Sequence, residues 1–164
     1  MIDKPAILGG TPIFAQFIPL VQPTLPPYDD RLARQVAELF QTGMLTKGKY
    51  LREFEARMAD YLGVKHAVAV SSCTLGLLLT YHGLGLKGEV VVPSFTFMAT
   101  VHPLLWVGAE PVFVDIDPCT WNIDPQRVEA AITERTSAIV AVHNFGNPAP
   151  VAELEAIARR HGLK

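Results

Sequence analysis

The chain has few cysteines, few charged residues and no long apolar run. Its 164 residues include two cysteines, Cys73 and Cys119, which stand far apart and lack the spacing of metal ligands. Such a pair indicates free thiols in a reducing compartment. The longest basic cluster is the pair Arg159-Arg160 and the formal net charge is −2, so nucleic-acid binding is not favoured. No apolar run approaches about 18 residues, and the N-terminus lacks the pattern of a signal peptide, which together predict a cytosolic protein without a membrane span.

The two common glycine-rich nucleotide-binding loops are not found in their usual context either. GxGxxG occurs once, from Gly83 to Gly88, but it lies between a predicted helix and a predicted strand instead of following a strand and opening a helix, and GxxxxGK[ST] does not occur. The sequence therefore weighs against nucleotide cofactors bound by such glycine-rich loops. What the chain does have is apolar residues, which make up 49% of it, against 18% charged residues and a mean hydropathy of +0.25. We therefore expect part of its apolar surface to meet a partner subunit or further polypeptide.

The N-terminal segment differs from the rest of the chain. Residues 1–28 contain six prolines, which predict an extended arm rather than a packed element. Residues 29–164 are predicted to form one domain, in which apolar periodicity and capping residues indicate helices and strands. The predicted helices are 29–42, 50–62, 74–83, 97–107, 125–133 and 150–161, and the predicted strands are 66–71, 89–92, 111–116 and 138–143.

This alternation predicts an α/β fold. Strands that alternate with helices pair in parallel through right-handed crossovers. The predicted strands are apolar with little polar alternation, as is typical of strands that are covered on both faces. The pattern therefore indicates a three-layer αβα sandwich with a mainly parallel sheet. Pro103 falls inside the predicted helix 97–107, where a kink or a later helix start is expected.

Ligands of open α/β sheets bind at the carboxyl ends of the strands, and the first such segment here is Ser71-Ser72-Cys73-Thr74. A helix beginning near Thr74 has unpaired N–H groups and a positive dipole end that suit a phosphate. The same residues are also explained if Ser71 or Ser72 is only an N-cap. On this feature alone the cap is the favoured interpretation.

Three other segments reach the same edge. Phe97 could lie flat against a planar ring, although a single phenylalanine is more often a core residue. Asp115-Ile116-Asp117 precedes Pro118 and is interpreted as a turn cap rather than a metal or acid–base site. His143 is interpreted as a hydrogen-bonded core histidine rather than a catalyst.

Taken in order, three stretches of the sequence resemble one enzyme family. They are GMLTKGKYLREFEARMADYLGVKHAVAVSSCTLGL, EVVVPSFTFMATVHPLLWVGAEPVFVDIDPCTWNID and SAIVAVHNFGNPAPVAELEAIARRHGLK. Together they resemble the DegT/DnrJ/StrS-type aminotransferases, enzymes of fold type I that depend on pyridoxal 5'-phosphate (PLP) and act on sugar nucleotides. The resemblance runs from about residue 18 to the last residue. It implies that the chain is the N-terminal part of the family's large PLP-binding domain.

The resemblance also implies roles for single residues. Ser72, Cys73 and Thr74 match the family's Ser-Gly-Thr turn, which holds the PLP phosphate. Cys73 stands where the family has glycine, so it is expected to offer only its backbone N–H. Phe97 matches the aromatic residue that stacks on the pyridine ring. Thr46, followed closely by Gly48, matches a loop near the sugar substrate, and Asn147 stands where the family often has glutamine and receives no role.

The function implied by the resemblance is transamination. An amino-acid donor, expected to be glutamate, gives its nitrogen to a nucleotide-linked keto sugar by a ping-pong mechanism, in a homodimer. The aspartate that pairs with the pyridine nitrogen and the lysine that binds PLP would both follow Lys164, so the chain alone is expected to contain no catalytic residue and to be inactive. Two alternatives stay open: a PLP-dependent sugar dehydratase of the same fold, and a truncated paralogue that binds a ligand or partner without chemistry.

Overall fold

A computed structural model describes residues 4–14, 16, 17, 19 and 22–164. These residues divide between two compact units, Met1–Phe54 and Glu55–Lys164. The helices are α1 (Asp30–Thr42), α2 (Lys49–Leu62), α3 (Cys73–Gly83), α4 (Met98–Trp106), α5 (Pro125–Ala131) and α6 (Val151–His161). The strands are β1 (Gly88–Pro93), β2 (Ala109–Val114) and β3 (Thr136–Ile139), and short 3-10 turns cover Ala6–Leu8 and Asn144–Gly146.

The first unit consists of the proline-rich segment, α1 and the start of α2. Apart from the turn at Ala6–Leu8, the described residues before α1 form no helix or strand. The predicted arm 1–28 lies partly outside the described residues. Helix α1 begins where the Asp29 carboxylate accepts the N–H of Leu32 at 2.8 Å. It ends at Gly43, whose φ of 66° is left-handed and whose N–H reaches the carbonyl of Leu39. The cap and the glycine stop together explain why this helix matches its predicted bounds.

The second unit is built on a three-stranded parallel sheet with the order β2-β1-β3. Strand β1 is central, and every one of its residues after Gly88 is buried. Parallel neighbours require crossover connections, and α4 provides the one between β1 and β2. The predicted parallel α/β fold is therefore confirmed.

Two apolar clusters cover the two faces of this sheet. Successive side chains of a strand point to opposite faces, and β1 divides accordingly. Val90 and Val92 belong to a cluster with Tyr81 of α3 and Leu104 of α4. Val91 belongs to the other cluster, which also contains Val114 of β2, Ile123, Val128 of α5, and Leu154 and Ile157 of α6. Helices thus lie on both faces, as the predicted αβα sandwich requires.

The prediction of a strand at 66–71 is wrong. These residues form no strand in the structure, and Val68 is 79% exposed. Among the hydrogen bonds of the described residues, the contact that ties this segment is the Ala69 N–H donated to the Glu55 carboxylate at 2.9 Å. A strand exists only where another strand pairs with it, and none of the described strands does so here. Despite its apolar alternation, this segment is therefore an unpaired stretch of chain that leads into α3.

The other predicted strands survive with shifted ends. Strand β2 begins and ends two residues before its predicted bounds, and β3 ends at Ile139 rather than at residue 143. Pairing continues past β3 only through Val140, whose N–H is donated to the Val91 carbonyl. Helix α4 runs through Pro103 and does not start there, and Pro103 is fully buried.

The amino-terminal ends of the three strands are joined by a charged cluster. Glu89 is buried, and its carboxylate accepts hydrogen bonds from the hydroxyl of Thr133 at 2.5 Å and from the guanidinium of Arg135. The same arginine lies 3.3 Å from Glu110, the register partner of Glu89 on β2. The Thr133 hydroxyl, followed by Arg135, lowers the pKa of Glu89 from its ordinary value. Arg135 thus offsets the repulsion between two neighbouring carboxylates.

No helix among the described residues is long and apolar enough to cross a lipid bilayer.

Candidate functional site

The candidate site lies at the carboxyl ends of the strands, where three loops and the start of α3 carry polar and aromatic residues. The loop after β1 is 94–97, the loop after β2 is 115–124, and the chain after β3 continues through 140–150. Ser94 fixes the first of these loops to the sheet, since its N–H is donated to the carbonyl of Val114 at 2.8 Å. This is the edge at which open parallel sheets bind ligands.

The start of α3 shows a cap and free donors at the same time. Ser72 is the N-cap, and its hydroxyl accepts the N–H of Leu75 at 3.2 Å. In the described part of the chain, no hydrogen-bond partner is present for the N–H groups of Cys73 and Thr74. Ser72 and Cys73 are exposed and Thr74 is half-buried. Two unpaired N–H groups at the positive end of an 11-residue helix can bind an anion.

Phe97 is the N-cap residue of α4 and points into solvent. Its side chain is 78% exposed. The interpretation of Phe97 as a core residue is therefore wrong. The ring pairs found in the described residues do not include Phe97. A side chain this exposed is held only by its backbone, and its face is available to a flat ligand.

One buried tyrosine joins the last turns of α3 to the first turn of α4. The Tyr81 hydroxyl donates to the carbonyl of Thr100 at 3.2 Å, and the Thr100 hydroxyl in turn lies 2.8 Å from that of Thr96. Burial raises the pKa of Tyr81, and the nearby thiol of Cys73 raises it further. The bond to Thr100 joins the last turns of α3 to the first turn of α4, which directly follows the loop of Phe97.

A network of asparagine side chains joins the three strand-following loops, and sequence reasoning missed it. The Asn144 amide donates to the carbonyl of Phe95 at 3.2 Å and to that of Trp121. Its backbone N–H is donated to the Asn122 side chain at 3.2 Å. The Asn122 amide then donates to the carbonyls of Asn147 and Pro148. The signal available in the sequence was the position of Asn144 directly after the predicted apolar strand 138–143, where a polar side chain has to be satisfied.

The network supports backbone that L-residues rarely adopt. Trp121 and Phe145 have φ values of 63° and 52°, and neither is a glycine. Their rings lie 5.2 and 6.2 Å from that of Phe95. Non-glycine residues in this region cost free energy and persist where surrounding contacts fix them. The two asparagines supply such contacts here.

Two structural interpretations made from the sequence are supported, one only in part. The Asp117 carboxylate accepts the N–H groups of Cys119 at 2.9 Å and Thr120 at 2.7 Å, so it caps a turn as predicted. These turn donors, Thr120 first, lower the pKa of Asp117. His143 is hydrogen-bonded as expected, since its Nδ1 accepts the N–H of Ala149 at 2.9 Å. It is exposed, however, so its description as a core residue is wrong.

Thr46 belongs to the first unit. It lies exposed in the loop between α1 and α2, and the ends of that loop are joined by Glu38. The Glu38 carboxylate lies 2.5 Å from the Lys49 ammonium and accepts the Tyr50 hydroxyl at 2.8 Å. The hydrogen bond with Lys49, and then that with Tyr50, lower the pKa of Glu38. A cavity of about 190 Å³ beside these residues includes the buried Gly48 in its wall.

Comparison with known proteins identifies the family that this sequence matches. The sequence profile described as the DegT/DnrJ/EryC1/StrS aminotransferase family matches residues 27–164. The chain is 37% identical to dTDP-4-amino-4,6-dideoxy-D-glucose transaminase of Escherichia coli over 148 residues, which cover 90% of the chain and 40% of that protein. It is 40% identical to GDP-perosamine synthase of Caulobacter vibrioides over 149 residues, covering 89% and 40%. The chain therefore spans about two fifths of the length of these relatives.

Solved structures give the same picture. DesI in the presence of its TDP-sugar product superposes with a TM-score of 0.87 at 44% identity, over 97% of this chain and 41% of that one. GDP-4-keto-6-deoxy-D-mannose-3-dehydratase of E. coli with bound hydrated PLP superposes with a TM-score of 0.74 at 33% identity, over 85% and 38%. The second likeness shows that this chain shares its arrangement of helices and strands with a dehydratase.

Proposed function

Because this chain belongs to the DegT/DnrJ/EryC1/StrS aminotransferase family, we propose that the complete protein moves an amino group from glutamate to a nucleotide-linked keto sugar, with PLP as cofactor. The observation that carries this proposal is the start of α3, where the N–H groups of Cys73 and Thr74 are unpaired and flanked by hydroxyls. Relatives that carry amino sugar nucleotides in their names support the acceptor class. We further propose a cytoplasmic homodimer.

The residues of this chain fit the anionic end of PLP. Ser72 keeps the N-terminus of α3 ordered through its bond to Leu75. The free N–H groups of Cys73 and Thr74, which follow Ser72, would bind the phosphate. The Cβ of Cys73 replaces the family's glycine, but this residue is exposed, so its backbone N–H remains accessible. Thr74 adds a hydroxyl donor.

Phe97 is proposed to hold the planar end. When bound, PLP supplies an electron-withdrawing ring that carries the amino group between donor and acceptor. An exposed phenylalanine at the start of α4 restricts the tilt of such a ring by stacking on its face. Thr46 is proposed to contact the sugar, in a loop whose ends Glu38 joins.

We also propose that residues 1–164 do not catalyse transamination by themselves. The reaction requires an amine that binds the cofactor covalently, and Lys87 and Lys164 lie at the opposite edge of the sheet from the proposed cofactor site. Lys164 donates to the carbonyl of Leu84, between α3 and β1 and so on the amino-terminal side of the sheet. Lys49 is paired with Glu38. Lys87 directly precedes β1 and thus lies at the wrong end of that strand.

The test is a nitrogen-transfer assay on the complete protein. The purified protein is saturated with PLP and incubated with glutamate carrying a heavy-nitrogen label and a panel of dTDP-, GDP- and UDP-linked keto sugars. Mass spectrometry of the products shows where the label goes. We expect the heavy nitrogen in one amino sugar nucleotide, and none when residues 1–164 are assayed alone.

The same assay separates the alternatives. Loss of an oxygen from the sugar without gain of nitrogen identifies a dehydratase, the activity named for one of the structural relatives. PLP binding without any product identifies a binding protein without chemistry. Nitrogen transfer by residues 1–164 alone contradicts the proposed inactivity of this chain.

A further inference from the structure

The position of Phe97 is set from outside its own loop. Its ring is 78% exposed, so packing does not orient it, and its placement follows from the backbone of residues 94–97. Ser94 ties the start of that loop to β2 through the Val114 carbonyl. Thr96 ties the end to α4 through the hydroxyl of Thr100. Between these two anchors, the carbonyl of Phe95 is bound by a side chain from a distant part of the sequence.

That side chain is Asn144. It is 9% exposed, and its amide nitrogen donates to the carbonyl of Phe95 at 3.2 Å and to the carbonyl of Trp121. A primary amide offers two N–H donors from one atom, which a carboxylate or a hydroxyl does not. Asn144 therefore joins the loops that follow β1 and β2, while it stands itself in the segment that follows β3.

We propose that Asn144 is a positioning residue for the cofactor platform: its amide fixes the Phe95 carbonyl and thereby the place of the Phe97 ring. The inference rests on the proposed function, because it requires that Phe97 contacts PLP. The Asn122 side-chain oxygen accepts the backbone N–H of Asn144 at 3.2 Å, a contact that an aspartate at this position keeps, and Asn122 does not itself reach Phe95.

The two asparagines offer a matched pair of substitutions in the complete protein. Asn144→Asp removes both donors and places a carboxylate against two carbonyls. Asn122→Asp removes the donors to Asn147 and Pro148 but keeps the oxygen that accepts the Asn144 N–H. Both variants lose stability, since each disturbs a buried polar group. Only Asn144→Asp frees the Phe95 carbonyl.

The experiment measures PLP binding by titration of the apo protein and by circular dichroism of the bound cofactor. We expect Asn144→Asp to weaken PLP binding about tenfold and to alter the dichroism, whereas Asn122→Asp keeps both close to the parent values. A double-mutant cycle with Phe97→Leu tests the route. If Asn144 acts through Phe97, the double variant binds PLP no more weakly than Phe97→Leu alone.

The outcomes separate this inference from the proposed function. A parent protein that does not bind PLP, or a Phe97→Leu variant with unchanged PLP affinity, contradicts the proposed site and this inference with it. A weakened Phe97→Leu variant combined with an unaffected Asn144→Asp variant, or with additive effects in the cycle, overturns the positioning role alone. Asn144→Ser, which introduces no carboxylate, replaces the aspartate variant if that protein does not fold.

Discussion

The two edges of the parallel sheet are held together by different chemistry. At the amino-terminal edge, an ion-pair cluster of Glu89, Arg135 and Glu110 joins all three strands or their immediate flanks. At the carboxyl edge, the neutral amides of Asn122 and Asn144 join the three loops. The first edge buries a carboxylate that is paired with an arginine, while the buried side chains that join the loops at the second edge, Asn122 and Asn144, are neutral amides.

The difference has a physical consequence for ligand binding. A buried carboxylate at the carboxyl edge would repel the phosphate that we propose for the start of α3, and an arginine there would compete for it. Amides orient backbone without adding net charge. Because Asn122 and Asn144 are neutral and bonded to each other and to the loops, they do not oppose the phosphate that we propose at the free N–H groups of Cys73 and Thr74. The ion pairs of Arg135 with Glu89 and Glu110 lie at the opposite end of the strands, where no ligand is proposed.

The largest effect is expected at Gly88, in the amino-terminal edge. A Cβ at this position would lie 2.5 Å from the carbonyl oxygen of Arg135, and the φ is 66°. Gly88→Ala combines this clash with a left-handed backbone, which together should lower the free energy of unfolding by about 3 kcal/mol. Gly108→Ala is the control, since Gly108 has a φ of 79° but no atom near its Cβ; it should cost about 1 kcal/mol. Denaturant unfolding measures both, and equal losses contradict the clash.

Acid should weaken the amino-terminal edge before the carboxyl edge. The pKa of Glu89 is lowered below its ordinary value of 4.5, so this carboxylate stabilises the fold above that value. The stabilisation is lost as the pH falls through the lower pKa of the folded state. The melting temperature should therefore fall steeply below about pH 5 in the parent protein, and Glu89→Gln should be less stable at neutral pH with a flatter acid profile. Glu110→Gln, which removes an exposed partner of Arg135, should keep the steep profile.

Ser72 and Thr74 separate capping from anion binding at the carboxyl edge. Ser72→Ala removes the cap of α3 and should lower the free energy of unfolding by about 1 kcal/mol, together with the affinity for PLP. Thr74→Val leaves the bond between Ser72 and Leu75 intact and should weaken PLP binding with little loss of stability. Thermal unfolding without ligand and a PLP titration of both variants provide the measurements. A Ser72→Ala variant that loses stability but binds PLP normally shows that Ser72 is a cap alone.

The smallest effect is expected at Asp117. Asp117→Asn keeps an oxygen for the N–H groups of Cys119 and Thr120, so the melting temperature at neutral pH should stay within about 2 °C of the parent value. Asp117→Ala removes that oxygen and should lower the melting temperature further. Because turn donors lower the pKa of Asp117, any loss of its contribution should also occur on acidification. A large drop for the asparagine variant would mean that the charge itself matters at this edge.

Much of the fold follows from local features of the sequence. Asp29 and Gly43 enclose α1, and the apolar run of β1 is buried on both faces as its composition predicts. The cap at Ser72 and the turn at Asp117 are likewise local, because each side chain bonds N–H groups no more than three residues away. Such contacts depend on neighbouring residue types and can be read from the chain. The alternation of helices and strands then predicted the parallel sheet.

Tertiary structure decided the rest. The alternation at residues 66–71 resembles that of a strand, but a strand needs a paired neighbour, and pairing is not a local property. The bond from Asn144 to Phe95 spans 49 positions and that from Arg135 to Glu89 spans 46. The sequence by itself determined where α1 begins and that the β1 run is buried, since backbone capping and apolar burial act over a few residues. Which polar groups meet at each edge was set only when the parallel crossovers brought distant loops together.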